Sequence, residues 1–185
     1  MSGIVNVARA RGRKEIRNYA QLVRQLAATR LGHSGPYFPI VEFIEGVLPQ
    51  LDGDFTFEVC DSVDMGDNHG LTIPSQKVIR IRNDIYEGAI AGRGRDRDTL
   101  AHELGHYILH DDIAYPRQMQ ESAIPAYKSA EWQAKAFSGE LLVDARLIGQ
   151  FQTADEVAQG CGVSVDCARY QMKVLAKEGL IKLPE

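Results

Sequence analysis

The strongest constraint on this chain is residues 99–110, TLAHELGHYILH, in which two histidines four residues apart enclose a glutamate. Four residues is slightly more than one helical turn, so the imidazoles of His102 and His106 project from one face and can hold one ion, while Glu103 lies about 100° around the helix. Apolar residues recur here at core spacing without a proline. They are Leu100, Leu104, Ile108 and Leu109. The pattern predicts a mostly buried helix that Thr99 caps, rather than a charged surface helix.

An H-E-x-x-H segment on such a helix carries the chemistry of a metal-activated water. Zinc lowers the pKa of its bound water from about 16 toward about 7, and a carboxylate within hydrogen-bond reach can then take the proton during attack on a carbonyl. The segment therefore predicts Zn2+ held by His102 and His106, with Glu103 as general base. The reaction that this chemistry implies is hydrolysis of a peptide bond.

A catalytic zinc site usually has three protein ligands, so a further ligand should follow downstream. Glu131 is the favoured candidate, because residues 130–142 read as a helix on which it shares a face with small and apolar residues. Those residues are Ala134, Ser138 and Leu141. A carboxylate directed inward among them would need a cation. Glu121, in a proline-flanked loop, and Glu140, elsewhere on the same helix, are the alternatives.

Two segments together, RDRDTLAHELGHYILH and EWQAKAFSGELL, resemble the ImmA/IrrE family of zinc metallopeptidases. In that family the first motif supplies two zinc-binding histidines and the catalytic glutamate. The second motif, typically E-x-x-A-N-x-F-A-A-x-L-L-M-P, begins with the third ligand. The resemblance therefore implies that His102, His106 and Glu131 bind Zn2+ and that Glu103 is catalytic. It continues more weakly through KVIRIRNDIYEGAIAGRGRDR, so that it covers roughly residues 40 to 150.

The resemblance also implies a substrate. Members of the family carry out limited proteolysis of a helix-turn-helix repressor, often in phage, mobile-element or stress-response regulation. This chain departs from the second motif at positions that leave the metal ligands intact and bear on substrate-side details. The departures are Lys135, Ser138, Gly139, Val143 and Asp144.

The rest of the chain predicts an α+β fold. Helical periodicity runs from about residue 14 to 29 and again from Ile40 to a stop near Pro49, and alternating apolar residues near 55–59 and 78–81 favour a small antiparallel sheet of two or three strands. Helices return after Asn83. We therefore expect a zincin-like, gluzincin-type domain with N-terminal helices over residues 1–150, followed by a helical module at 151–185.

That module resembles a helix-turn-helix. Thr153 and Glu156 form a capping box, and Ser164 can cap a second helix that ends before Gly179. Its charges are mixed, so the positive surface of a free-standing DNA reader is missing, and a protein contact or a supporting role is favoured over DNA binding. The side chains available for contacts are Arg169, Gln171 and Lys173.

Several groups near the motif have weaker assignments. His110, one turn beyond His106, is predicted to be a structural histidine outside the metal shell. His69, Tyr115 and Tyr127 are candidates for stabilising an oxyanion. Residues 77–82 could accept an extended substrate as an added strand.

Charge and composition limit the remaining possibilities. The net charge of −4 gives no overall attraction to nucleic acid, but basic residues crowd the first 30 positions. We interpret them as a solvated basic face of the first helix, with a surface for an acidic partner as the alternative. They are Arg9, Arg11, Arg13, Lys14, Arg17, Arg24 and Arg30. Three cysteines without a CxxC pair argue against a disulfide framework or a cysteine zinc site, and the absence of a signal or membrane-spanning run predicts a cytoplasmic protein.

Two other functions remain open at this point. The chain could be a transcription regulator that binds DNA or protein through residues 153–179 and keeps its zinc for structure or sensing. It could also be a toxin-antitoxin-associated protein.

Overall fold

The computed structural model describes residues 4–110, 117–120 and 125–182 and confirms an α+β fold. The helices are α1 (Arg13–Leu31), α2 (Ile40–Glu42), α3 (Leu48–Leu51), α4 (Ser62–Met65), α5 (Asn83–Ile90), α6 (Gly94–Leu109), α7 (Ala130–Leu142), α8 (Ala154–Cys161) and α9 (Val165–Lys177). The strands are β1 (Ile4–Val7), β2 (Thr56–Cys60), β3 (Gly70–Ile73), β4 (Val78–Arg82) and β5 (Arg117–Gln120).

The main sheet has three strands in the order β2-β4-β3, and its topology differs from the prediction. β3 and β4 form an antiparallel pair, but β2 pairs with β4 in parallel, so the sheet is mixed and the antiparallel prediction was wrong. The physical reason is the crossover through α4, which carries the chain past β4 before the β3–β4 hairpin forms. β1 and β5 make a separate antiparallel pair that periodicity did not predict.

The predicted second helix ends at Leu51, two residues past Pro49 and close to its predicted stop. A π-helical segment, Phe43–Val47, joins α2 to α3, and Pro49 lies in the first turn of α3. The backbone stays helical from α2 through the π-helical segment into α3, so Pro49 leaves one hydrogen bond of this continuous run unmade.

The basic N-terminal segment is not a solvated face, and that interpretation was wrong for its central arginines. Arg13 and Arg17 reach the buried carboxylate of Glu140 on α7, at 3.2 and 2.7 Å. Arg24 donates to the carbonyl of Leu141 at 2.6 Å and pairs with Asp144 at 3.5 Å. These arginines bind α1 to α7, because buried carboxylates require cationic partners.

Helix α6 lies at the centre of the molecule, and α7 packs closely along it. Leu100 and Leu104 are completely buried. Gly105 permits the approach of α7, because a Cβ there would lie 3.1 Å from both Cα and the carbonyl oxygen of Ala134. The helix begins at Gly94, earlier than predicted, so Thr99 is not its cap and instead donates to the carbonyl of Arg95.

The helices α8 and α9 have their predicted caps at Thr153 and Ser164, and the turn between them packs on the start of α6. Buried Arg97 donates to the carbonyl of Gly162 at 2.8 Å and also contacts Tyr37. Gln171, predicted to be available for contacts, is buried against Gly139 of α7. The turn of the C-terminal pair is thus part of the packing around α6.

The contact between Gly94 and this turn can be tested by mutation. A Cβ on Gly94 would lie 2.4 Å from the carbonyl carbon of Val163 and 2.5 Å from the nitrogen of Ser164, and backbone atoms cannot easily move away. We expect Gly94→Ala to lower the free energy of unfolding by about 1–3 kcal/mol in urea denaturation. Gly46→Ala is the matched control, because a Cβ there meets no atom within 4 Å. Equal stability of the two variants would contradict this packing.

Candidate metal centre and active site

Three side chains from two helices converge on one point. The Nε2 atoms of His102 and His106 lie 3.1 Å apart, and each lies 3.3 Å from a carboxylate oxygen of Glu131. Two ligands about 2.0–2.1 Å from a tetrahedral zinc ion lie about 3.3 Å from each other. The spacing and the nitrogen and oxygen chemistry of these donors therefore fit a divalent metal such as zinc. Among the described residues, His102, His106 and Glu131 form the group of His, Cys, Asp or Glu side chains whose donor atoms lie close enough together to hold one metal ion.

The third donor, the carboxylate of Glu131, is placed by the start of α7. Ser129 caps this helix by accepting from the backbone N–H of Trp132, which leaves Glu131 in the first turn opposite α6. We predicted that Glu131 would sit inward among apolar residues. Its side chain is instead 53% exposed, because the first turn of α7 opens onto a cleft. Of the alternatives, Glu140 is taken by Arg13 and Arg17, and Glu121 lies outside the described residues.

The electrostatics of the three donors favour a charged carboxylate. Hydrogen bonds with His102 and His106 hold the pKa of Glu131 well below its usual range. Burial by itself lowers the pKa of His102, but the hydrogen bond with Glu131 and the nearby carboxylate of Glu103 outweigh it, so the pKa is raised. The same attraction between a carboxylate and positive charge would act on a metal cation.

Glu103 lies beside the donors and is held by strand β3. Its side chain is buried, and its Oε2 accepts a hydrogen bond of 2.7 Å from the hydroxyl of Thr72. The strand can come this close because Gly70 has no side chain; a Cβ there would lie 2.6 Å from Cγ of Glu103. Sequence reasoning missed Thr72 and Gly70, because no spacing rule links a short strand to a helix thirty residues later.

His110 lies behind the metal face, as predicted, and not in it. It is buried, its Nδ1 lies 3.0 Å from Nδ1 of His106, and its Nε2 lies 3.2 Å from Oε1 of Gln133. Burial and the neighbouring His106 lower the pKa of His110 to about 4. His110 therefore carries no charge near neutral pH. Gln133 is a further residue that sequence reasoning missed.

An open cleft of about 460 Å³ runs over the site. It is lined by residues 70–75, by the metal-facing side of α6 and by the start of α7. Of the candidates for oxyanion stabilisation, His69 and Tyr127 are not among the described residues that line the cleft, and Tyr115 lies outside the described part of the chain. Residues 77–82 were also the wrong strand for substrate pairing, because β4 is central and β3 is the sheet edge at the cleft.

Comparison with known proteins places the chain in a family. The Peptidase M78 family model, described as an IrrE N-terminal-like domain, matches residues 61–173, more than half of the chain. The chain belongs to this family. A search of curated proteins found no match. Membership indicates a metallopeptidase-like function and implies a metal, and the match extends beyond the predicted range into α9. Within the described residues, no helix combines the length and apolar character needed to cross a membrane.

The hydrogen bond between Thr72 and Glu103 can be measured by a double-mutant cycle. Thr72→Val keeps the shape of the side chain but removes the donor to a buried carboxylate. We expect it to cost about 1.5–3 kcal/mol of unfolding free energy in the wild type, and clearly less in a Glu103→Gln background, where the acceptor is neutral. Urea denaturation of the four metal-free proteins measures the coupling. Additive costs would show that the two side chains do not interact.

Proposed function

We propose that this chain is a zinc-dependent metallo-endopeptidase with a gluzincin-type core. His102, His106 and Glu131 hold the metal, and Glu103 is the general base. The observation that carries the proposal is the meeting of three donor atoms, 3.1 to 3.3 Å apart, with a buried carboxylate beside them in one open cleft. The family membership supports a peptidase, and the donor set favours zinc over a harder ion that prefers oxygen ligands.

The mechanism assigns each protein group a task. A bound Zn2+ supplies Lewis acidity toward the scissile carbonyl and toward a water molecule. Glu103 takes the proton of the attacking water and returns it to the leaving amine. Thr72 holds Oε2 of Glu103, so Oε1 remains for the water. Gly70 keeps the space next to Oε1 open, since a Cβ there would lie 2.9 Å from that oxygen.

Strand β3 is suited to hold the substrate backbone. It forms an edge of the three-stranded sheet, lines the cleft and contacts the general base through Thr72. An extended peptide can pair with such an edge as an added strand, so that main-chain hydrogen bonds fix the scissile bond. This binding mode selects an extended segment of the substrate, consistent with limited proteolysis.

We infer that the substrate is a regulatory protein, and specifically a helix-turn-helix repressor, as the family resemblance implies. The outer face of α9 is available to help select it. That face exposes Arg169, Tyr170, Lys173 and Lys177, while the opposite face is buried. Residues 151–185 would then act as a helix-turn-helix-like module that docks the substrate beside the catalytic domain formed by residues 1–150.

The metal assignment has a direct test. We expect elemental analysis to find close to one zinc per wild-type chain and strong depletion in His102→Ala, His106→Ala and Glu131→Ala, because each variant removes one of three ligands. Glu140→Gln is the matched control, since its carboxylate pairs with Arg13 and Arg17 and not with the donors. Zinc retained in Glu131→Ala would show that another residue is the third ligand, and a wild type that binds no divalent metal would refute the site.

The reaction is tested with a repressor encoded near the protein's own gene. We expect the wild type to cleave it at one position and Glu103→Gln to bind zinc but cut at least about 1,000-fold more slowly, because the general base is lost. Mass spectrometry of the products gives the scissile bond. Cleavage that survives in Glu103→Gln would contradict the assigned base.

A second candidate, a regulator that binds DNA through α9, is favoured by three exposed cations, Arg169, Lys173 and Lys177, on one face. Sequence-specific, salt-sensitive gel shifts by Glu103→Gln, together with no cleavage of any repressor by the wild type, would select this function over the peptidase.

A further inference from the structure

We propose that Gln133 and His110 form a hydrogen-bond relay that fixes the tautomer of His106 and directs the lone pair of its Nε2 toward the metal. This inference rests on the proposed metal site and assigns positioning residues that the sequence motif does not contain. The relay runs from two backbone carbonyls, through Gln133 and His110, to the ligand. Each step is determined by which atom can donate.

The relay begins where the side-chain amide of Gln133 is oriented. Its Nε2 lies 2.7 Å from the carbonyl oxygen of Arg9 and 2.8 Å from that of Tyr127. Only the NH2 end of an amide can face two carbonyl oxygens at these distances, since its oxygen would be repelled by both. Gln133 is completely buried, so it cannot exchange these partners for water. Its Oε1 must therefore point away from them, toward His110.

The second step fixes the proton of His110. Oε1 of Gln133 can only accept, so Nε2 of His110, 3.2 Å away, must carry a hydrogen. The remaining ring nitrogen of His110, Nδ1, faces Nδ1 of His106, and these two atoms share one hydrogen. Because Gln133 already takes the hydrogen on Nε2, His110 meets this contact with the lone pair of Nδ1.

The third step fixes His106. Its Nδ1 lies 3.0 Å from the accepting Nδ1 of His110, so the hydrogen of that contact must come from His106. With its hydrogen on Nδ1, His106 can offer the lone pair of Nε2 to a metal, and Nε2 is the atom that faces His102 and Glu131. The opposite tautomer would place a proton where the metal binds and two lone pairs against each other at the relay.

The energetic consequence follows from how metal-ligating histidines behave generally. A hydrogen bond at the other ring nitrogen orients the imidazole and raises its basicity, and its loss typically weakens metal binding by about 10–100-fold. In most such pairs the acceptor is a carboxylate or a carbonyl oxygen. Here the acceptor is another histidine, which can serve only because Gln133 dictates its tautomer. His110 and Gln133 thus act through His106 and do not touch the metal.

The first test compares zinc dissociation constants by chelator competition. His110→Phe keeps a ring but has no acceptor, and we expect its dissociation constant to rise about 10–100-fold. His110→Asn places an amide oxygen where Nδ1 stood, and we expect it to remain within about fivefold of the wild type because that oxygen can accept from His106. Tyr107→Phe, beside His106 but directed toward Asp52, is the control that should not change. Equal losses in His110→Phe and His110→Asn would assign the effect to packing and overturn the relay.

The second test observes the tautomer of His110 directly in the zinc-loaded protein. Nitrogen-15 correlation spectra distinguish the two imidazole tautomers. We expect His110 to carry its proton on Nε2 in the zinc-loaded wild type, and Gln133→Leu to release it from this state. A zinc-loaded wild type with the His110 proton on Nδ1, or a Gln133→Leu protein with an unchanged His110 tautomer, would refute the relay. These spectra separate the relay from the proposed function, because bound zinc with the wrong His110 tautomer would overturn the relay alone, whereas a protein that binds no zinc would overturn both.

Discussion

The close packing of α7 on α6 is the interaction on which the rest of the structure depends. Gly105 lies between the two histidines of α6, and the absence of its side chain lets the backbone of Ala134 approach to contact distance. This approach sets Glu131 within 3.3 Å of both imidazoles. A Cβ at position 105 would lie 3.1 Å from the backbone of Ala134 and from the ring of Phe137, so α7 would have to give way by a few tenths of an ångström. The glycine within the motif therefore helps to set the distance between Glu131 and the two histidines.

The other side of α7 is fixed by buried ion pairs, and these give meaning to features that looked functional in the sequence. Arg13, Arg17 and Arg24 hold Glu140 and Asp144, so the basic N-terminal segment serves mainly to attach α1. Two departures from the family motif also serve packing between helices. Asp144 pairs with Arg24, and Gly139 makes room for Gln171. Because neither lines the cleft, these departures alter the packing behind α7 and not the substrate side.

Sequence reasoning reached the elements whose signals are local. The periodicity of α1, α6 and α7 and the capping box at Thr153 were read correctly, and the family was recognised from two helical motifs. The strand order was not predicted, because an alternating pattern of apolar residues does not show which strand lies between the others. The roles of Thr72 and Gln133 were also missed, because each depends on a contact between distant elements that no spacing rule encodes. Glu131 was predicted on the correct helix but with the wrong exposure. Helical periodicity shows which residues share a face of the helix, but not whether another element covers that face.

Each polar group at the centre takes its orientation from a different part of the fold. Glu103 is held by Thr72 from the sheet, His106 by His110 and, through it, Gln133 on α7, and Glu131 by a helix start that Ser129 caps. A five-residue motif on a helix specifies only that two imidazoles share a face. The proposed proton position on His106, the free oxygen of Glu103 and the distance of Glu131 from the two histidines all depend on other elements of the fold. The proposed metal site therefore depends on the sheet edge and on α7 as much as on the H-E-x-x-H segment itself.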